Sequence, residues 1–404
     1  MATYSKQLNL DSSSIVHIIS IISKAKGEAR IVGGAVRDVL LGHNPTDIDL
    51  ATTLQPTELI NALKEAKIKT IPTGLQYGTI TAFIKGQTIE ITSLREDIKC
   101  YGRKAEVTFT KSFELDAKRR DFTINAMSYC PLKHEIYDYF NSIDDLQNGL
   151  VKFIGNPKQR IQEDYLRILR FFRFSARFAK NIDQDGLNAC IQNKEHLSKL
   201  SGERIKTEMD NILSLEKTSI AIKHLLNNQF LSKIYPFIQQ QIQYDNISHK
   251  AVLDSAHIYD ANVKLMLYAA IFRNEPPHIK NLMSVKFSRR ESIIIFNLIK
   301  VSHLNEEELL YTLKLKLLLE ENYAIYFAFS GVFVENPAIV QELFNSLLNK
   351  PKPVFPISGN DIKEIGINGE EIGKTMNYLK KIWIDSNFSL NKKNLTKMIK
   401  DFSF

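Results

Sequence analysis

The chain has 404 residues, with 53 Lys and Arg against 45 Asp and Glu for a net charge of +8. That length exceeds what one small core organises and calls for two or three domains, and the modest basic surplus suits a polyanionic partner without demanding one. Three widely spaced cysteines, Cys100, Cys130 and Cys190, exclude a disulfide framework and a CxxC metal site; the longest apolar run, Tyr323 to Val334, is shorter than the roughly 20 residues of a membrane span.

The opening "MATYSKQLNL" lacks a basic-then-apolar signal pattern, so a cytoplasmic protein with no membrane segment is expected. Residues 11–27, "DSSSIVHIISIISKAKG", have the polar start, apolar spacing and glycine stop of an amphipathic helix. "RIVGGAV" reads as a strand entering a glycine turn, with a helix from Val36 to Leu41. Three strands follow, in "DIDLAT", "GTITAFIKG" and "QTIEITSL", the last two alternating with period two and joined at Gly86-Gln87. The charged stretch from Arg95 to Glu114 is expected to be a mobile loop. From residue 158 to 404 helical patterns dominate, interrupted at Asn274 to His278 and at 349–356. The expected fold class is α+β, a mixed sheet with helices followed by an all-helical remainder.

On a strand, residues i and i+2 point to one face, so Asp47 and Asp49 would present two carboxylates together. Like charges that close repel unless a cation lies between them, and oxygen-only ligands beside phosphates favour Mg²⁺. "NPTD" is equally good turn chemistry, so turn, metal site and phosphate cradle all stay open here. Gly33-Gly34 would let the backbone approach a phosphate while Arg37 grips its oxygens. Glu90, on a later alternating strand, is either a third carboxylate or a surface residue. This combination fits nucleotidyl transfer, in which one cation lowers the pKa of an attacking hydroxyl and a second steadies the leaving pyrophosphate.

"RRDFTINAM", 119–127, sets two arginines before an acid; at a helix start they diverge by about 100°, and Arg120 is expected to face a triphosphate. In "EDYLRILRFFRFSARF", 163–178, Arg167, Arg170, Arg173 and Arg177 share one helix face with almost no compensating acid after Asp164, while Phe171, Phe174 and Phe178 lie mainly on another. If Asp164 and Arg167 pointed at a base, the carboxylate would accept from an exocyclic amine and the guanidinium would donate to the neighbouring ring nitrogen. Cytosine and adenine present that edge; uracil and guanine do not.

In order, GGAVRD, DIDLAT, TGLQYGTIT, "LREDIKCYGRKAEVTF", RRDFTINAM, EDYLRILRFFRF and "SGERIKTEM" at 201–209 resemble the class II tRNA nucleotidyltransferases, the CCA-adding enzymes and their bacterial poly(A) polymerase relatives. A weaker echo lies in "ISGNDIKEIGINGEEIGKTMNYL", 357–379. The resemblance implies a polymerase-β-like head over 1–150, a base-recognising helical neck over 151–215 and a tRNA-binding helical body and tail over 216–404. It implies that Asp47 and Asp49 hold Mg²⁺, that Gly34, Arg37 and Arg120 contact the triphosphate, and that Asp164 and Arg167 read the base with support from Arg170 and Arg173. The implied substrates are tRNA, CTP and ATP.

Departures accompany it. Tyr77 stands where many members carry His, and no His-Asp dipeptide of an appended phosphohydrolase occurs. The charged loop from Arg95 to Phe109 favours full CCA addition over CC or A addition alone. A poly(A) polymerase and a non-catalytic RNA-binding protein on this scaffold remain the alternatives, and the oligomeric state is open.

Overall fold

The computed structural model describes residues 1–101, 104–238, 249–319, 323–334, 336–348 and 353–399, which divide into two compact units, Met1–Ile234 and Tyr235–Phe404. The first unit begins with strand β1 (Ala2–Ser5) and helix α1 (Ser13–Lys24). Ser12 caps α1 by accepting from the Ile15 N–H, and Ile15, Ile18, Ile19 and Ile22 form its buried stripe. Then come β2 (Ala29–Val32), α2 (Gly34–Leu40), β3 (Asp49–Thr52), α3 (Pro56–Glu65), β4 (Lys69–Gly74), β5 (Thr79–Ile84) and β6 (Gln87–Ser93). Lys85 and Gly86, both at positive φ, make the β5–β6 turn. With β9 (Ser128–Cys130) and β10 (Glu135–Asp138) they build an eight-stranded mixed sheet ordered β1-β10-β9-β2-β3-β6-β5-β4. Ile31, Leu50, Ile80, Ile89 and Ile91 are buried on one face, where α1 and α3 pack. The alternate positions Asp49 and Glu90 face the other way.

Three expectations need correction. The stretch from Arg95 to Glu114 is no loop: β7 (Arg95–Tyr101) and β8 (Lys104–Phe109) pair as a two-stranded ribbon, and α4 (Phe113–Lys118) follows under a Ser112 cap. A ribbon apart from the main sheet needs only backbone pairing, so its charged sequence hides it; residues 102 and 103 lie outside the described residues. Asp47 precedes β3 rather than lying on it, so the two aspartates do not share a strand face. Residues 163–178 are not one helix: α5 (Ser142–Asn148) and α6 (Pro157–Glu163) precede a break at Asp164, whose backbone is extended, and α7 runs from Leu166 to Phe178.

An aromatic core fixes α7 against the head. Phe122 lies 4.9 Å from Phe153 and 5.3 Å from Phe174, and Phe153 stacks on Phe171 at 5.4 Å. Of the helices that follow, α8 (Gln184–Asn193), α9 (Gly202–Leu213), α10 (Thr218–Asn227) and α11 (Leu231–Ile234), α9 and α10 pack on α7. The first unit therefore carries all of the expected head and neck and continues to Ile234.

The described elements of the second unit are all helices, from His249–Ile258 to Lys392–Ile399. Its core is aromatic: Phe272 meets Tyr235 at 5.0 Å, Tyr268 meets Phe287 at 4.7 Å, and Tyr259 meets Phe344 at 4.6 Å. Near its end Trp383 gathers Phe355, Phe388, Ile362 and Leu379.

Candidate active site

Parallel pairing of β3 with β6 sets Asp49 directly opposite Glu90, so both side chains leave the sheet on the same face, one strand apart. Asp47, exposed just before β3, lines the same cleft of about 830 Å³ with Asp49, Thr88 and Glu90. Partial withdrawal from water, then the like charge of Glu90 and that of Asp47, push the Asp49 carboxyl above the usual carboxylate range, against the pull of Arg120. The fields of three carboxylates and one guanidinium meet here. Such an oxygen-only donor set, repelling itself, fits a divalent cation that takes its remaining ligands from water and substrate. Among the described residues no three acid, imidazole or thiolate groups stand close enough to hold a metal by themselves. A cation here therefore depends on outside ligands.

The glycine pair opens α2, with Gly33 at φ +75°. A Cβ on Gly33 would stand 2.8 Å from a guanidinium nitrogen of Arg120, so only glycine lets Arg120 lie against this turn. A Cβ on Gly34 would meet the Arg37 guanidinium at 3.3 Å. Arg37 is 5% exposed: its Nε donates to Asp38 at 2.8 Å, another nitrogen donates to Asn125 Oδ1, and the guanidinium lies 4.3 Å from the Phe178 ring centre. Burial lowers its pKa against the opposing pull of Asp38. Arg37 is thus anchored beneath the turn, while Arg120 lies across it. Arg119 and Arg120 converge on one buried carboxylate, Asp116, pairing with its two oxygens at 2.7 and 3.2 Å.

The arginines of α7 are not uncompensated, because their acids come from other segments. Arg170 holds Asp121 at 2.6 Å, Arg173 holds Glu208 at 2.5 Å, and Arg177 lies 3.7 Å from Asp38. Arg167 pairs with Glu163 at 2.6 Å and donates to the Arg160 and Arg119 carbonyls; it does not pair with Asp164. Asp164 is held by Arg204 at 2.6 Å. Asp121 also accepts from Asn125 Nδ2 at 3.0 Å and from its neighbour's N–H, so a buried chain of polar contacts runs Arg170–Asp121–Asn125–Arg37–Asp38. Burial would raise the Asp121 carboxyl, but Arg170 and these donors outweigh it and hold it low. Asp116, Asn125, Glu163, Arg204 and Glu208 went unread in the sequence. The i,i+3 and i,i+4 spacings of Asp116 to Arg119 and Arg120, and of Glu163 to Arg167, were visible there; the long-range partners had no local signal.

Residues 29–152 match a family model described as the poly A polymerase head domain, and residues 181–242 match one described as a probable RNA and SrmB-binding site of polymerase A. The mouse protein named CCA tRNA nucleotidyltransferase 1, mitochondrial, is 34% identical over 412 residues, covering 97% of this chain and 91% of its own. Among solved structures, the Bacillus stearothermophilus CCA-adding enzyme in complex with CTP superposes with a TM-score of 0.71 at 22% identity, covering 96% of both chains. The Thermotoga maritima CCA-adding enzyme complexed with tRNA does so at 0.69 and 19%, covering 98% of this chain and 97% of its own. These two show the shared fold.

Proposed function

The chain belongs to the CCA tRNA nucleotidyltransferase family, and on that premise we propose that it adds C, C and A from CTP and ATP to tRNA 3′ ends without a template. The observation that carries this reading is the Asp49–Glu90 pair, set in register on two central strands where β3 begins, with Asp47 beside it and the Arg120 charge within reach.

Members of the family generally use a divalent metal, and here Mg²⁺ would be held by Asp47 and Asp49. When bound, it supplies neutralisation of triphosphate charge and a lowered pKa for the attacking hydroxyl. The chain's own residues position the reactants. Gly33-Gly34 lets the triphosphate approach the backbone, Arg120 takes its oxygens, and Arg37 holds α2 in place from below. The tRNA 3′-oxygen attacks the α-phosphorus, the bond from that phosphorus to the bridging oxygen breaks, and pyrophosphate leaves. Glu90 shapes the field at Asp49. Asp164, held by Arg204, keeps acceptor capacity for an exocyclic amine; Arg167, held by Glu163 and two carbonyls, keeps donors for the adjacent ring nitrogen. Arg170 and Arg173 tie this helix to Asp121 and Glu208. A cytoplasmic setting goes with this reading, and no described helix is long and apolar enough to cross a membrane. We assign residues 1–150 to the head, 151–215 to the neck and 216–404 to the tRNA-binding body and tail.

The test is incorporation of each labelled triphosphate into a tRNA stripped of its terminus. CTP and ATP are expected to be used in the presence of Mg²⁺ and not after chelation. Use of UTP or GTP at comparable rates would overturn the base-edge assignment.

A further inference from the structure

The β7–β8 ribbon is seated on the turn at Tyr77-Gly78. The Arg95 guanidinium donates to the Tyr77 carbonyl, and Phe109 packs where a Cβ on Gly78 would intrude at 2.7 Å. On its other side the ribbon root meets Asp116, whose Oδ1 accepts the Arg95 backbone N–H at 3.4 Å. Asp116 is 3% exposed and gathers its donors unequally. Arg119 binds Oδ1 through two nitrogens, at 2.8 and 2.7 Å; Arg120 reaches Oδ2 with one, at 3.2 Å.

That inequality has a chemical consequence. A buried carboxylate left without partners is costly, so an arginine that is its only cation cannot leave it for a substrate. Here Arg119 and the Arg95 N–H stay on Oδ1, so Asp116 keeps a cation when Arg120, which holds Oδ2 by one long bond, exchanges that bond for a phosphate oxygen. Burial would raise the Asp116 carboxyl, yet Arg120 and Arg119 hold it below the usual range, so it is ionised at neutral pH.

We propose that Asp116, retained by Arg119, is a positioning residue that parks Arg120 across the Gly33 turn, releases it to the incoming triphosphate, and links that release to the root of the β7–β8 ribbon. This rests on the reading of Arg120 as a triphosphate ligand.

The experiment is steady-state kinetics for CTP and ATP at saturating tRNA with Arg119→Ala, Arg119→Lys, Asp116→Asn, Arg120→Ala and the Asp116→Asn/Arg120→Ala double variant, each checked for folding by circular dichroism. Arg119→Ala and Asp116→Asn are expected to raise KM for both nucleotides about 10- to 100-fold with a smaller change in kcat. Arg119→Lys should recover part of the loss, and the double variant should be no worse than Arg120→Ala. Losses that multiply in the double variant, or an unchanged KM in Arg119→Ala and Asp116→Asn while Arg120→Ala raises it, would overturn the positioning role and leave the Arg120 reading standing. An unchanged KM in Arg120→Ala would overturn that reading itself. Should Asp116→Asn fail to fold, an Arg119→Ala/Arg120→Ala cycle decides by the same criterion.

Discussion

The two units bury different things. In Met1–Ile234 the interior takes in Arg30, Arg37, Asp116, Asp121, Asp138, Asp145 and Glu208; in Tyr235–Phe404 the buried polar residues among those described are Ser292, Ser302, Ser330 and Thr375, hydroxyls all. Buried charge is a poor means of stabilisation, since desolvation offsets most of the attraction. Its concentration in the unit with the acidic cleft argues that these pairs hold groups in place for chemistry. The aromatic second unit is held by packing.

The largest expected effect separates chemistry from stability at one residue. Asp49→Asn should lower nucleotide incorporation by at least about 100-fold, through loss of a charge placed for the transition state. Because the Asp49 carboxyl is raised in the folded chain, its ionised form is disfavoured there, so stability attached to its protonated state is present at low pH and lost as pH rises. The neutral variant should therefore melt no lower than the parent at pH 7; a lower melting temperature would contradict the account. Next in size, Asp121→Ala should cost about 3–5 kcal/mol in urea titration by stranding Arg170, as a broken buried pair does.

A third prediction uses acid. Asp116 and Asp121 have lowered carboxyl pKa values, so their contribution is present above the ordinary aspartate value and lost as pH falls below about 4. In the second unit Asp361 is lowered too, to about 2, by Lys392 and the Ser358 N–H, in a pair whose Lys392 is exposed and screened. Amide exchange in β2 and β3 should therefore rise at a higher pH than that at which the fluorescence of Trp383, the single tryptophan, changes. The smallest effect is Ser330→Ala: this buried hydroxyl has no hydrogen-bond partner among the described residues, and its removal should change stability by less than about 0.5 kcal/mol.

Strands β2, β3, β5 and β6, the glycine turn and the helical second half were legible because period-two and helical spacings are local, whereas β1, β4, β9 and β10 went unread. The acidic entry to β3 was legible too, although Asp47 stops short of the strand: Asn44-Pro45 turn chemistry marks the region without fixing where pairing begins. The neck misled more. Four arginines on one face looked uncompensated because Asp121, Glu208 and Asp38 lie far along the chain from them, and ion pairs across such separations leave no periodic trace. The break at Asp164 was hidden for a related reason. Nothing in "EDYLR" is a helix breaker; the extended backbone there goes with the tertiary bond to Arg204. The ribbon at 95–109 lacked alternation, and alternation was the signal in use.

The most direct test is the sequence of the product. A tRNA lacking its terminus, incubated with all four triphosphates and Mg²⁺ and then sequenced at the 3′ end, should carry C, C and A and stop. Runs of A, or termini containing U or G, would contradict the account.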